Sequence, residues 1–331
     1  MSRAEASAGG TATAGAATGG AAAGGAAAGG STAGRSTAGG TTVGGTVLVA
    51  GRRPQTASGF LALFRNELHL TFRRMRTKVL LGILAALPVL IGVIVKLNTD
   101  SPHGGGGGAP SFIAQTTQNG LFLVFTALAV ALPVFLPMTV GVVAGDSVAG
   151  EAATGTLRYL LVAPAGRTRL LAAKFTAGLV FCLAATAAVA VTALAAGAAL
   201  FPLGEVTLIS GDTIGFGDAL LRAVLVAGVV AASLAGLVAI GLFVSTLTGS
   251  GIAAMAATVG LVITVQILDA FPQLDAVRPF LFTHYWTSFS DLLREPMYWD
   301  GVWKDLGLQA AYVAVFGSAA WARFTSRDIS A

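Results

Sequence analysis

The sequence predicts an all-α integral membrane protein, in which six transmembrane helices follow an amphipathic interfacial helix. The chain is 55% hydrophobic and only 11% charged, whereas soluble domains carry about 25% charged residues. Its apolar residues form runs of roughly 20, the length with which a helix crosses about 30 Å of hydrocarbon. Such continuous runs favour helices over a β-barrel, whose strands alternate apolar and polar residues.

Residues 1–57 consist mostly of Gly, Ala, Thr and Ser. We expect a disordered tail here, because this composition offers too little apolar surface to offset the entropy of ordering the chain. No apolar run typical of a signal peptide follows Met1. Alternatively, part of this tail is an artefact of the assigned start site and is absent from the native protein.

An amphipathic interfacial helix is predicted over residues 58–78. Its large apolar side chains recur at helical spacing; they are Phe60, Leu61, Phe64, Leu68, Phe72, Met75 and Val79. They cover about a third of the helix circumference, while the basic side chains lie mainly on the remaining surface. This arrangement suits a helix lying in the plane of the membrane interface. The alternative, a basic segment that only orients the first span, does not account for the aromatic stripe.

Six apolar segments are each near the length of a membrane span. They lie at residues 79–97, 119–144, 175–201, 219–244, 251–270 and 302–322. Together they make a predicted six-helix domain over residues 79–322, followed by a short cytoplasmic tail at 323–331. Pro88, Pro133 and Pro137 fall inside these spans, where proline kinks a helix and frees carbonyl groups.

The distribution of Lys and Arg predicts the orientation. Residues 52–78 hold seven basic residues and residues 146–174 hold four, whereas the loops at 98–118 and 203–218 hold none. By the positive-inside rule, both termini and residues 146–174 are cytoplasmic, and the protein lies in the cytoplasmic (inner) membrane. Five basic residues oppose the rule: Lys96, Arg222, Arg278, Arg294 and Lys304. Acidic residues between 269 and 300 accompany those of the last outer loop.

Aromatic residues are concentrated in the last outer loop, at residues 271–301. They include Phe280, Phe282, Tyr285, Trp286, Phe289, Tyr298 and Trp299. Because aromatic rings suit the headgroup level of a bilayer, the loop is predicted to form one or two short interfacial or re-entrant helices. A membrane-anchoring belt and a gate are both consistent with this composition.

The sequence lacks the residues that several kinds of enzyme and metal site need. No G-x-x-x-x-G-K-[ST] phosphate loop occurs, so we expect no ATP hydrolysis and no catalytic residue in this chain. No H-E-x-x-H motif occurs, the histidines are scattered, and the single cysteine, Cys182, lies in an apolar run. No metal site is therefore predicted. Because the positive charge flanks apolar runs, nucleic acid is not an expected partner.

A polar island at residues 146–174 separates the second and third spans. It begins with Asp146 and Glu151, and its basic residues follow. They are Arg158, Arg167, Arg169 and Lys174. Since a charge buried in hydrocarbon costs several kcal/mol, we expect the island to leave the membrane.

A short helix is predicted inside the island. Thr154 or Thr156 can cap it, Leu157–Val162 forms its body, and Pro164 with Gly166 ends it. A helix this short is not stable alone in water. Its leucine face therefore requires lipid, the neighbouring spans or a partner.

The island resembles the signature of the type-2 ATP-binding-cassette (ABC) permeases. An acidic residue is followed by Gly-Glu, Gly-Thr-Leu-Arg, a Leu pair, Ala-Pro, an Arg cluster and Ala-Lys at the start of the next span. The flanks are similar too: Glu67 and the basic residues of 73–78 precede the first span, and Arg-Phe-Thr-Ser-Arg-Asp-Ile occupies 323–329. The resemblance covers residues 58–330.

The resemblance implies a six-helix permease subunit that pairs with a second copy or a paralogue, as a homodimer or heterodimer. Each half would bind a cytoplasmic ABC ATPase subunit. ATP and Mg would be used by that subunit, and this chain would bind no cofactor of its own. The family favours export as the direction of transport. Membrane lipid is the remaining expected partner.

In that family a short cytoplasmic coupling helix between spans two and three fits a groove of the ATPase, and the resemblance places it at Gly155–Val162. The implied coupling residues are Glu151, Gly155, Thr156, Leu157, Arg158, Leu160, Leu161, Pro164 and Arg167. The interfacial helix would touch the same subunit through residues that the resemblance also implies. These are Glu67, Arg73, Arg74 and Arg76. A basic loop lying on lipid is the alternative, but it accounts for neither the acidic start nor the capped leucine face.

Two other functions are consistent with an all-α membrane protein. A secondary transporter should contain internal repeats and acidic side chains within its spans. No clear repeat is present, and Asp269, beside Gln266, is the main acidic candidate. A non-transport assembly, immunity or sensory factor could use the same scaffold. The residues do not identify a substrate, because polar side chains within spans are often packing groups.

Overall fold

A computed structural model describes residues 57–99, 116–117, 119–153, 166–208 and 210–326. In these residues the regular secondary structure is helical apart from one short hairpin. The predicted tail lies outside the described residues except for Ala57, and so does the chain after Ser326.

The α-helices of the described chain are α1 (Ala57–Arg73), α2 (Met75–Thr99), α3 (Phe122–Ala131), α4 (Phe135–Ala153), α5 (Arg167–Leu200), α6 (Phe216–Ser233), α7 (Ala235–Leu247), α8 (Gly251–Asp269) and α9 (Asp300–Ser326). Two short strands, β1 (Val206–Thr207) and β2 (Thr213–Ile214), pair antiparallel with Val206 opposite Ile214. The 3₁₀-helices η1 (Pro272–Leu274), η2 (Arg278–Phe280) and η3 (Trp286–Leu293) lie between α8 and α9.

The chain is a multi-pass membrane protein. Four segments of the described chain are helical, long and apolar enough to cross a membrane: Met75–Asn98, Arg167–Leu200, Phe216–Leu247 and Gly251–Asp269. The bent pair of α3 and α4 makes a fifth if it is counted as one span. The helix α9 covers the predicted sixth span, 302–322, but polar residues in its first half keep it out of this set.

The helices run alternately between two ends of the bundle. At one end, here called the island end, α4 finishes and α5 begins. There Arg167 Nη1 donates to Thr325 O at 2.9 Å, which places the end of α9 beside the start of α5. At the opposite end, here called the loop end, Asn119 Nδ2 donates to Gly204 O at 3.0 Å. This contact joins the chain before α3 to the chain after α5.

The chain bends at Arg74, between the end of α1 at Arg73 and the start of α2 at Met75. The sequence predicted one interfacial helix as far as residue 78, so the observed α1 is shorter and the following helix begins earlier. Part of the apolar stripe of α1 faces the bundle, since the rings of Phe72 and Phe181 lie 6.1 Å apart, whereas Leu61 is exposed. The helix is therefore packed against α5 and does not rest on lipid alone.

The second span bends by 54° between α3 and α4. Pro133 lies in the break, and Pro137 lacks the N–H that would bond to the Pro133 carbonyl in an α-helix. Gln266 of α8 supplies the missing donor, because its Nε2 lies 2.5 Å from Pro133 O. The predicted kink at these two prolines is confirmed, whereas α2 continues through Pro88.

The aromatic-rich loop folds against the bundle at the loop end. It forms three short 3₁₀-helices where one or two helices were predicted. Phe282, Trp286 and Phe289 are buried, while other aromatic residues of the loop are exposed. The indole Nε1 of Trp286 donates to Ser233 O at 2.9 Å, which ties the loop to the end of α6.

Basic residues that oppose the positive-inside rule are paired at the loop end. Buried Arg222 donates to the Leu292 carbonyl at 3.1 Å and to the Arg294 carbonyl at 2.9 Å. It also forms an ion pair with the Glu295 carboxylate. The other pairs are Arg278–Asp275, Arg294–Asp291 and Lys304–Asp300. This pairing reduces the net charge that these residues would otherwise bring to the loop end.

The backbone at Gly120, just before α3, touches the backbone at Gly197, near the end of α5. A Cβ atom added to either residue would overlap the carbonyl group of the other. Small residues at a helix crossing permit this approach in membrane proteins. Residues 121–128, which follow the contact, are all buried, so the crossing fixes the position of the most deeply buried helix.

Replacing Gly197 with valine should force α3 away from α5 and destabilise the protein by about 1–3 kcal/mol, the usual cost of overpacking. Thermal unfolding in detergent, followed by circular dichroism, would detect the change as a lower Tm. Gly228→Val is the matched control, since no atom lies within 4 Å of a Cβ atom built at Gly228. Equal Tm values for the two variants would contradict the proposed contact.

Candidate functional site

Charged side chains from α1, α2, α4, α5 and the α1–α2 junction meet at the island end. We call them the ionic cluster; its members are Glu67, Arg74, Arg76, Asp146, Glu151 and Lys174. Three of its members are acidic and three are basic, so the cluster is neutral when all are ionised. It consists of two groups of linked ion pairs, Arg74–Asp146–Arg76 and Glu67–Lys174–Glu151.

Lys174 is the centre of the cluster. Its Nζ lies 2.9 Å from Glu67 Oε2 and 2.6 Å from Glu151 Oε1. The lysine side chain is only 2% exposed, and both carboxylates are buried as well. One ammonium group of α5 therefore joins α1 to the last turn of α4. Removing it would leave two buried carboxylates without their cation, which is far more costly than losing an exposed pair.

Asp146 forms the second half of the cluster. Its Oδ2 accepts hydrogen bonds from Arg74 Nη1 and Arg76 Nη2. The carboxylate is buried, whereas both guanidinium groups are partly exposed. Gly150 and Gly251 provide its space, since a Cβ atom at either position would overlap the carboxylate. The bend at Arg74 is thus held to α4 by two charge-assisted hydrogen bonds.

The helices extend into the predicted island from both sides. Asp146 and Glu151 lie within α4, which ends at Ala153, and Lys174 lies within α5, which begins at Arg167. The sequence placed these residues outside the membrane-spanning helices because their partners are distant in sequence. Mutual pairing makes the burial of such charges tolerable, so the helices continue through them.

The other predicted site residues have different positions. Arg167 bonds the Thr325 carbonyl, and Arg73 is exposed at the end of α1. Glu67, Arg74, Arg76 and Glu151, which the resemblance assigned to ATPase contacts, meet one another in the ionic cluster. The remaining coupling residues lie outside the described residues: Gly155, Thr156, Leu157, Arg158, Leu160, Leu161 and Pro164.

Sequence reasoning named neither Asp146 nor Lys174 as a site residue, and it missed Asp305 altogether. Asp305 is 1% exposed in α9, with its carboxylate 2.5 Å from Ser233 Oγ and 3.0 Å from Gln309 Nε2. The bond from Ser233 attaches α9 to the break between α6 and α7. The available signal was the pair of polar residues one turn apart in an otherwise apolar segment.

The ionic cluster is a connector between helices and has no room for a substrate. The cavity beside it has a volume of about 40 Å³, whereas ligand pockets occupy about 300–1,000 Å³. Within the described ranges, no group of three or more His, Cys, Asp or Glu side chains could hold a metal ion. The ionic cluster therefore attaches α1, α4 and α5 to one another electrostatically.

Lys174→Met should destabilise the protein by about 3–5 kcal/mol, because Glu67 and Glu151 would remain buried without a cation. The drop in Tm should be largely reversed when Glu67→Gln and Glu151→Gln are added, since the amides carry no charge. Lys304→Met is the control, because it removes an exposed pair with Asp300 and should leave the Tm unchanged. Thermal unfolding in detergent gives all three values, and a Lys174→Met variant as stable as the control would refute the role of the cluster.

A family model described as a protein of unknown function, DUF2705, matches residues 89–330. The match begins inside α2 and includes Asp146, Glu151 and Lys174, while Glu67 and Arg74 precede it. A search of curated proteins gives no match. The matched region covers more than half of the chain, and the protein therefore belongs to the DUF2705 family.

Proposed function

We propose that the protein is the permease subunit of an ATP-driven ABC exporter, with energy supplied by a separate ATPase subunit. The observation that carries the proposal is the ionic cluster, in which Lys174 joins α1, α4 and α5. The end of α4 and the start of α5 flank residues 154–165 in the sequence. The coupling helix implied by the resemblance falls between these two flanks.

A coupling helix can transmit a displacement only if its flanks are attached to the spans. Glu151, near the end of α4, and Lys174, near the start of α5, form a pair of 2.6 Å. Glu67 attaches α1 to the same ammonium group, and Arg167 attaches the start of α5 to α9. An ATPase that displaces the coupling helix would therefore move four helices together.

The helix α4 provides a path from the island end to the loop end. It packs closely against α8, since a Cβ atom at Gly145 would lie 2.9 Å from Met255 Cα. Its other end is the bend at Pro133, which Gln266 of α8 attaches to the same neighbour. We propose that α4 and α8 tilt together about this bend, and that access alternates between two arrangements of the bundle.

The proposal also includes six membrane spans and a cytoplasmic location for the island end. The polar side chains of α9, Asp305 and Gln309, are buried in the bundle. Its exposed residues include Trp303, Val315 and Trp321, so its outward surface is apolar and suited to lipid. The excess of Lys and Arg in residues 52–78 and 146–174 favours a cytoplasmic island end in the inner membrane.

A complete transporter of this kind also needs ATPase subunits and a second permease half, which are therefore the proposed partners. A cytoplasmic ABC ATPase would bind the coupling helix and α1, and would use ATP and Mg. A second copy or a paralogue would complete the pathway, in contact with membrane lipid. An ion-driven secondary transporter is the second candidate, favoured by Asp305, a buried acid without a basic partner among the described residues.

Leu160→Asp should abolish co-purification of an ABC ATPase with the tagged protein from native membranes, because a charge would replace the apolar face of the coupling helix. The bound proteins would be identified by mass spectrometry, and membrane fractionation would check insertion. Glu151→Lys should have the same effect, since it places a second positive charge beside Lys174.

Leu247→Asp is the matched control for this experiment. Leu247 is an exposed leucine at the island end, at the end of α7, and lies outside residues 146–174. Its variant should retain the ATPase. Retention of the ATPase by both Leu160→Asp and Glu151→Lys would contradict the proposal, as would the absence of any ABC ATPase from the wild-type sample.

A further inference from the structure

A cavity of about 230 Å³ lies at the loop end, between the bend of the second span, the end of α8 and the chain before η3. Its lining includes Pro133, Gln266, Asp269, His284 and Trp286. None of these side chains belongs to the ionic cluster. The cavity is larger than the roughly 150 Å³ that accommodates benzene in a protein core, so it has room for one ring with a short side chain.

The cavity offers unused hydrogen-bond acceptors. Asp269 Oδ1 faces His284 Nδ1 at 2.7 Å and Arg278 Nε at 3.5 Å. Asp269 Oδ2 makes no hydrogen bond within the described part of the chain. Gln266 commits its Nε2 to Pro133 O, which leaves its Oε1 as an acceptor. Because Gln266 and Asp269 are three residues apart in α8, both side chains lie on one face of the helix.

An aromatic ring forms another part of the lining. The indole N–H of Trp286 is already committed to Ser233 O, which fixes the plane of the ring. The Trp286 ring also makes an edge contact with Phe282, with centroids 5.7 Å apart. A fixed indole face with no free donor suits an apolar group or a cation.

The charges around the cavity favour a cation. Asp269 and Asp275 both face Arg278, at 3.5 Å and 2.9 Å. The hydrogen bond from Arg278 to Asp275 raises the pKa of the guanidinium group, so Arg278 stays charged. Two carboxylates against one guanidinium leave one negative charge. His284 adds a positive charge only when it is protonated.

We infer that this cavity binds a small organic primary ammonium ion, whose N–H groups would bond to Asp269 Oδ2 and Gln266 Oε1. Its apolar part would lie against Trp286. An ammonium group has three donors and no acceptor, which matches the free oxygens of Asp269 and Gln266, and the hydroxyl of Thr283, which makes no hydrogen bond, can accept as well. An organic cation is preferred to a metal ion, since the described residues form no metal-binding cluster of His, Cys, Asp or Glu. The inference does not depend on the proposed transport function.

Isothermal titration calorimetry of the full chain in lipid nanodiscs would test the inference with 2-phenylethylammonium as the probe. Saturable binding is expected, and the neutral 2-phenylethanol should bind at least about tenfold more weakly, because it loses the charge-assisted hydrogen bond to Asp269. Asp269→Asn should weaken binding of the ammonium by at least about tenfold for the same reason.

Asp275→Asn is the matched control, because Asp275 pairs with the same arginine but is 77% exposed and is not part of the lining. It should weaken binding of the probe far less than Asp269→Asn does, because it removes a charge that lies in solvent outside the cavity. Ala270→Phe fills the cavity from an exposed position without changing any charge, and should abolish binding while the Tm is kept. The inference is overturned if the wild type gives no saturable binding, if the alcohol binds equally well, or if Asp269→Asn and Ala270→Phe both bind normally.

Discussion

The burial of one ammonium group between two carboxylates is the constraint on which the island end depends. Lys174 can leave water only because Glu67 and Glu151 lie within hydrogen-bonding distance, and those carboxylates are equally dependent on it. Satisfying all three charges requires α1, α4 and α5 to converge at one point. The position of α1 against the bundle and the extension of α4 and α5 into the polar island both follow from this requirement. In the same way, the buried carboxylate of Asp146 holds the bend at Arg74 against α4.

Apolar runs and proline positions predicted most of the helical framework. The runs predicted where the long helices lie, and Pro133 with Pro137 predicted the bend of the second span, since both signals depend on neighbours in sequence. The partners of charged and polar groups could not be predicted, because Lys174 and Glu67 are 107 positions apart and Gln266 and Pro133 are 133 positions apart. Without those partners, a buried charge in the sequence is indistinguishable from one in water.

The average hydropathy of a helix underestimates how apolar its exposed surface is when its polar side chains face the bundle. Asp305 and Gln309 lower the apolarity of α9, yet both are buried against the break between α6 and α7 and against the loop. The residues that α9 exposes are mostly apolar. The same principle explains the basic residues at the loop end, which raise the count of positive charges there although carboxylates accompany them. In both cases the overall composition of a segment differs from the character of the surface that it exposes.

The bond from Gln266 to the Pro133 carbonyl also has a consequence for the biogenesis of the protein. A ribosome makes the second span well before α8, so the carbonyl freed by Pro137 has no permanent donor while the intervening helices are synthesised. Until α8 arrives, that carbonyl must be satisfied by water or by the insertion machinery. The second span therefore reaches its final bent form only after the fifth pass of the chain has joined the bundle, which makes assembly of this helix pair a late event in folding.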